Sequence, residues 1–564
     1  MRGPVGNAAR LHPTAAAVIA LEVVALAVWA ALPPGRFGWW PAAVLTVLAA
    51  AALLISVGRR NLPGWVSAQV RQRFSRSAVQ PAGAAVDVPC GPVMVGVRVE
   101  PHEAITMIEV HGRAYTPTFL RGSSLSLTDN VLPTDVLTGC LDQPGGLRCV
   151  IDVVQSGQRV RPGTGYPALY GTLLADRPAA GSRRTWLVVR VDITESVEGL
   201  AYRHSLGGAA AAAADRIVTA LRQRGVRAVI LSAAELDAAL AELAAGLAAP
   251  PATGDPEADG GRRRRGRSPV PLRPGATATE VSWRGVDARP GHLTSYYLGA
   301  QDITAATLNQ MWSLRSDAVV TVASLRRDRQ PSRPRGSEPV VVSAVVRTDD
   351  PQRPTQAPLL SLQRLDGDQR AAALWAAPTA RPELALPARP LEDPADLDLP
   401  VGPTGVLVGT ALHDDPAAVP AVHRDDLVML PLTDPERATR IVMHTSDFYT
   451  RQLVIRAAAT GERVAIYSDD PQRWESVSQA NIAVLSAGRG PEFVPTIVVN
   501  DRQAAPPAGG LAATVITLVD GDPEDAAPDI RFDQTSGSTV RITTATRVLD
   551  VGIVAFRQEQ TWTG

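Results

Sequence analysis

Lysine is absent from this chain of 564 residues, so all 56 of its basic side chains are arginine. That absence excludes whole classes of chemistry. A P-loop needs a lysine to reach the β- and γ-phosphates, and a pyridoxal phosphate enzyme needs one for its Schiff base. A protein kinase needs one on its third strand. Cysteine is also scarce. Cys90, Cys140 and Cys149 are odd in number and do not stand in CxxC spacing, which argues against a disulfide framework or a zinc finger. They read as buried thiols in a reducing compartment. Acidic and basic residues balance at 56 each, so no net charge points to nucleic acid. GxSxG, HExxH and a complete GxGxxG are missing too, the last because Gly163-Thr164-Gly165 is followed by Ala168.

What the chain does have begins at its N-terminus. Thr14–Leu32 and Trp39–Val57 are two apolar runs of 19 residues each. As helices they would each extend roughly 28 Å, close to the thickness of a bilayer's hydrocarbon core. Pro33-Pro34-Gly35-Arg36-Phe37-Gly38 breaks the helix and turns the chain between them. The pattern predicts a transmembrane hairpin over residues 1–60, with spans at 14–32 and 39–57. A cleaved signal peptide fits less well, because a second apolar run follows within six residues. Arg2 and Arg10 precede the first span, Arg36 sits alone in the turn, and Arg59, Arg60, Arg71, Arg73 and Arg76 follow the second. Basic flanks stay inside, so both termini and the bulk of the chain are expected in the cytoplasm, with the hairpin in the inner membrane. Trp39, Trp40 and Trp65 fall where interfacial aromatics anchor a span. Glu22 lies ninth in the first span, where an isolated charge costs at least about 3 kcal/mol, which points to a contact within the membrane.

Residues 61–80 form the next segment. Trp65, Val66, Val70 and Phe74 recur at spacings of three to four with arginines among them, the pattern of an amphipathic helix. It either lies on the inner leaflet or extends the second span. From 81 to 248, strands at Val93–Glu100, Ala104–His111, Leu147–Val154, Thr185–Val191 and Val226–Leu231 alternate with helices at Tyr166–Leu174, Gly208–Arg224 and Ala233–Leu247. That alternation predicts an α/β or α+β domain. Residues 249–277 combine proline, glycine, an acidic cluster and Arg262-Arg263-Arg264-Arg265, the composition of a disordered linker. Residues 278–564 repeat the mixed style as one or more C-terminal α/β domains, with no evident sequence repeat. The expected class is a membrane-anchored α/β (α+β) protein with mixed-sheet cytosolic domains.

Several fragments together resemble a known family. Ile105–Leu120 (ITMIEVHGRAYTPTFL), Thr128-Asp129-Asn130-Val131-Leu132-Pro133 and Ile151-Asp152-Val153-Val154-Gln155-Ser156-Gly157 are similar to EccE. So are Trp186–Asp192 and Arg216–Glu235, and the layout of a membrane hairpin followed by a cytosolic domain. EccE is a membrane-core component of the ESX (type VII) secretion apparatus of mycobacteria and related actinobacteria. The resemblance covers residues 1 to about 250. It implies a non-catalytic structural subunit of a hetero-oligomeric membrane complex with EccB, the ATPase EccC and EccD. It implies no cofactor and no catalytic or metal-binding residues.

Two constellations carry independent chemistry. His413-Asp414-Asp415 with His423-Arg424-Asp425-Asp426 offers ligands for a divalent metal, or simply a polar loop. Asp366-Gly367-Asp368 and Asp520-Gly521-Asp522 are either ordinary turns or the metal-binding carboxylate pair of a membrane-tethered glycosyltransferase-like enzyme, the alternative function.

Overall fold

The computed structural model describes residues 9–11, 15–31, 39–57, 60–74, 81, 83–201, 203, 205–244, 247, 280–288, 291–329, 337–486, 490–501, 514–519 and 527–564. The expected linker, the turn at 33–38, residues 75–80 and Asp520–Asp522 lie outside these. The fold mixes helices with two large sheets, an α+β arrangement.

The N-terminal segment holds β1 (Ala9–Leu11), α1 (Ala15–Ala31), α2 (Trp40–Leu54), β2 (Ile55–Val57) and α3 (Leu62–Phe74). The helices α1 and α2 pack side by side. They are shorter than the expected spans, at 17 and 15 residues. Ile55 leaves the helix at φ −83° and ψ 118°, and Ile55–Val57 pairs antiparallel with Ala9–Leu11 instead. Two of these three residues are β-branched and favour an extended backbone. Among the described residues, no helix is long and apolar enough to cross a membrane.

The first sheet has fourteen strands. Its first half contains β3 (Val86–Cys90), β4 (Val93–Val99), β5 (Glu103–Gly112), β6 (Thr118–Arg121), β7 (Leu125–Leu127), β8 (Val131–Leu132), α4 (Thr134–Gly139), β9 (Asp142–Gln143), β10 (Leu147–Gln158), α5 (Tyr166–Leu173), β11 (Ser182–Asp192), α6 (Val197–Leu200), α7 (Leu206–Gln223), β12 (Arg227–Ile230) and α8 (Ala233–Leu243). Of these strands, β6, β7 and β8 pair elsewhere. The second half follows across the expected linker with β13 (Glu280–Val281), β14 (Val286–Ala288), β15 (Gly291–Leu298), α9 (Ala305–Gln310), β16 (Ala318–Arg327), β17 (Val340–Asp350), β18 (Leu362–Arg364), α10 (Gln369–Ala373) and β19 (Arg389–Pro390). The strand order is β13-β14-β15-β17-β16-β10-β11-β5-β4-β3, with β12 and β18 added beside β5 and β15. The sequence division at 249–277 therefore does not interrupt this sheet. Every pairing in it is antiparallel, so it is not a mixed sheet.

The two halves repeat one plan. β4 and β12 pair with successive parts of β5, at Ala104–Thr106 and Ile108–Gly112. β14 and β18 pair the same way with β15, at Gly291–Leu293 and Tyr296–Leu298. β10 and β11 correspond to β16 and β17, and β10 meets β16 antiparallel around the Val154–Val322 pair. An approximate two-fold axis between those strands relates the halves. α7 packs on one face of the sheet, and α8 and α10 close the other. Two buried arginines follow the same symmetry. Arg190 of β11 donates to the carbonyls of Ala377 and Thr379, beyond α10 (2.9 and 2.7 Å). Arg347 of β17 donates to the carbonyl of Leu243, at the end of α8 (2.6 Å), and to that of Ala373 (2.8 Å). Each half thus holds the helix end of the other. A buried arginine head group needs such acceptors, because an unsatisfied one costs about 1–3 kcal/mol or more.

Beyond β20 (Leu399–Pro400), which pairs with β8, the chain builds a second sheet. It uses β21 (Val406–Ala411), β22 (Leu427–Leu430), β23 (Arg440–His444), α11 (Asp447–Thr460), β24 (Val464–Tyr467), β25 (Ile482–Leu485), β26 (Ile497–Asp501), β27 (Thr514–Leu518), β28 (Ile530–Ser536), β29 (Thr539–Thr544), β30 (Val548–Gly552) and α12 (Gln560–Thr563). A parallel block, β25-β24-β26-β27-β23-β28, continues into an antiparallel one, β28-β29-β30-β21-β22-β6-β7. The hairpin β6–β7 is lent from the first half, as is α5, whose Tyr166 and Tyr170 lie in this core. Under α5 and α12 sits a buried ion pair. Arg456 of α11 donates to Glu559 at 3.0 and 2.8 Å, Gln452 donates to it at 2.7 Å, and the Tyr166 hydroxyl donates as well.

Candidate functional site

Arg60 and α3, which follow α2, meet the first sheet at the outer end of its second half. Asn61 starts α3 in the manner of an N-cap: its Oδ1 accepts from Gly64 N at 3.2 Å, and Pro63 follows in the first turn. The Asn61 amide also donates back to the Leu53 carbonyl at 3.0 Å, holding the start of α3 beside the end of α2.

Opposite stand two turns. Ser282 N and Oγ both donate to Gly285 O at 2.8 Å, closing the β13–β14 hairpin with Trp283 at its tip. Asp368 N donates to Leu365 O at 3.0 Å, closing a turn between β18 and α10. Gly367 donates its N–H to Trp283 O at 2.8 Å. Its φ is +78°, and a Cβ there would fall 2.6 Å from the Trp283 ring, so glycine is required on both counts.

Into this corner come Arg60 and Trp65. The Arg60 guanidinium pairs with Asp368, both side chains being largely buried, and donates to Asp366 O at 3.3 Å. The Trp65 ring stacks on Trp283 at 5.6 Å and 28°, with Arg60 5.9 Å from its centroid. Arg364 pairs with Asp366 at 2.7 Å. The carboxylates of the Asp-Gly-Asp turn thus each face a guanidinium, and the turn works as a socket rather than as an open metal cradle.

The other sequence-predicted residues scatter. Trp39 and Trp40 are exposed at the start of α2, and Glu22 is exposed on α1. Trp65, expected at a membrane interface, has an intramolecular ring partner in Trp283. In the histidine–aspartate loop, Asp414 accepts from Arg424 N at 2.9 Å and Asp415 from Ala418 N at 3.1 Å. Asp426 accepts from Arg121 and from His423 N, both at 2.8 Å. Burial alone would raise the Asp426 pKa, but Arg121 and His423, whose backbone N–H it accepts, together outweigh it and hold the carboxyl below its usual range. These groups close turns and tie the lent hairpin to the second sheet. Among the described residues, no group of three or more His, Cys, Asp or Glu is placed to hold a metal ion. The three cysteines are free, and burial pushes the Cys149 thiol up to about 12. Sequence reasoning marked Asp366-Gly367-Asp368 and Trp65 separately. It missed Trp283, whose only signal was a tryptophan at a hairpin tip.

Comparison with known proteins gives a consistent picture. Residues 179–298, from just before β11 through β15, match a family model described as "Putative type VII ESX secretion system translocon, EccE". The chain is 29% identical over 396 residues to the ESX-2 secretion system protein EccE2 of Mycobacterium tuberculosis (strain CDC 1551 / Oshkosh), covering 70% of this chain and 64% of that protein. It is 31% identical over 239 residues to the ESX-5 protein EccE5 of Mycobacterium marinum, covering 41% of this chain and 50% of the relative. With the ESX-1 protein EccE1 of Mycobacterium tuberculosis it shares 26% identity over 451 residues, 76% of this chain and 77% of the relative. The chain thus spans about two thirds of the ESX-2 relative and half of the ESX-5 one. An alignment of 451 residues carries the likeness well past residue 250, where sequence fragments alone had ended it.

Proposed function

Because the chain belongs to the EccE family, we propose that it is a non-catalytic structural subunit of a type VII (ESX) secretion complex, held to the inner membrane by α1 and α2. The observation that carries this reading is the junction just described: two apolar helices are fastened to a large rigid sheet by Arg60 and Trp65. Val18, Ile19, Val23, Leu26 and Trp29 of α1 and Val44, Leu45, Val47 and Leu48 of α2 all present apolar surface outward. An exposed apolar patch of this kind marks a protein or membrane contact. With the arginine-rich flanks, it supports a hairpin whose termini and sheets stay cytoplasmic. The exposed Glu22 would then face a partner subunit within the bilayer. EccB, the ATPase EccC and EccD are the proposed partners. The glycosyltransferase alternative drew on one Asp-Gly-Asp turn; Asp366 and Asp368 are paired with Arg364 and Arg60, and Asp520–Asp522 lie outside the described residues.

Gentle detergent extraction from the native host, followed by mass spectrometry of the co-purifying proteins, tests the proposal. The expected result is recovery with other ESX membrane components. Recovery of this chain alone, with no secretion ATPase, overturns it.

A further inference from the structure

α3 has one face committed and one face bare. Ala68 is fully buried and Trp65 is stacked on Trp283, so that side belongs to the junction. Leu62, Val66 and Val70 are 61%, 57% and 50% exposed. Their spacing of four places them in one stripe along the helix. An apolar stripe left in water is unfavourable by about 25 cal/mol per Å², so it calls for a cover.

Its position names the cover. Asn61 ties the start of α3 to the last turn of α2, through the Leu53 carbonyl. If α2 enters a bilayer, α3 starts at that bilayer's surface. The α3 sequence, LPGWVSAQVRQRF, has no acidic residue and carries Arg71 and Arg73. By composition the segment is basic, and a basic residue near an anionic leaflet contributes about 1 kcal/mol.

We infer that the occupant of this stripe is the anionic inner surface of the bilayer, and that α3 lies along it with Leu62, Val66 and Val70 in the headgroup boundary. The inference rests on the membrane reading above and goes beyond it by giving the sheet an orientation. The other face of α3 is clamped by Trp283 and by the Asp366-Gly367-Asp368 turn. The outer end of the second half, at β13, β14 and β18, is therefore the end nearest the membrane.

The test reconstitutes the full chain into vesicles of phosphatidylglycerol and phosphatidylethanolamine doped with a photoactivatable phospholipid, and maps lipid adducts by peptide mass spectrometry. Adducts are expected on α1 and α2 and also within 62–70. The double variant Val66→Glu and Val70→Glu should lose at least five-fold of the α3 adducts while keeping those on α1 and α2. Adducts on α1 and α2 but none on α3 overturn the inference and leave the membrane reading standing. Chain-to-chain cross-links through 62–70 in place of lipid adducts also overturn it, making the cover a second copy. Absence of adducts from all three helices overturns both.

Discussion

The two halves of the first sheet share a strand plan and differ in how their outer ends are closed. In the first half, the turn into α8 is capped from within. Ser232 and Glu235 form a capping box, and Asp87 of β3 accepts from Ala233 N at 2.7 Å. Gly96 of β4 lies so close that a Cβ would fall 2.4 Å from the Ser232 carbonyl carbon. In the second half, the corresponding turn into α10 is Asp366-Gly367-Asp368, and Arg60 and Trp65 of the N-terminal segment close it. The repeated scaffold is thus asymmetric: one copy keeps its own edge and the other gives it to the N-terminal helical segment. The halves also differ inside. Arg190 pairs with the fully buried Asp152 at 2.9 Å and with Glu103 at 3.0 Å. Arg347 donates only to carbonyls among the hydrogen bonds described above.

That internal difference sets the largest expected effect. Arg190→Ala takes one of two paired guanidiniums from the buried Asp152, leaving Arg381, and should cost about 3–5 kcal/mol in urea unfolding. Arg347→Ala strands carbonyl oxygens and no carboxylate, so about 1–3 kcal/mol is expected. Equal losses would break the comparison. Next come the glycines. Gly96→Ala forces backbone against backbone and should cost roughly 1–3 kcal/mol. Gly367→Ala should instead loosen the Trp283 ring, speeding hydrogen exchange in 62–74 more than in the sheet. Trp283→Ala removes the ring stack, worth about 1 kcal/mol, or about a five-fold rise in exchange across the same residues. A rise in β10 or β16 as well would show that the junction supports the whole sheet.

The smallest effect is pH dependence, and its sign differs between the halves. Burial tends to raise the Asp152 pKa, but Arg381 and Arg190 outweigh it and hold the carboxyl below its usual range. Its contribution to stability is present above an unfolded value of about 3.9 and is lost as pH falls through the depressed folded value. Asp349 of β17 is raised, first by burial and then by Asp317. Its contribution is greatest below about 3.9 and fades as pH rises through the raised folded value. Asp349→Asn should therefore flatten thermal stability on the rising-pH side, whereas Asp152→Asn should remove a loss on the acid side. A variant Asp349→Asn with an unchanged pH profile would show that the raised carboxyl plays no part.

Much of the local structure was legible. The runs of β-branched residues that form β5, β10 and β11 read directly as strands, and the alanine-rich α7 as a helix. β23 and β28 were missed, because Arg440, His444, Arg531 and Asp533 dilute their apolar pattern. The pairing of strands was not legible. A strand's alternation says which face is buried, not which partner lies alongside. Hence neither the repeat nor the continuity of the sheet across 249–277 was visible. The socket was half legible, since turn chemistry marks Asp366-Gly367-Asp368, but its occupants lie some 300 positions away, at Arg60 and Trp65.

The lent hairpin β6–β7 has a consequence in time. Leu120 of β6 pairs with Leu427 of β22, 307 positions later in the chain. At a synthesis rate of about 5–20 residues per second, β6 emerges roughly 15–60 s before its partner strand exists. Throughout that interval Phe119 and Leu120, fully buried in the finished protein, have no wall to lie against. The nascent chain carries a sticky, half-made edge for more than half of its own translation, and that edge needs shielding until β22 emerges.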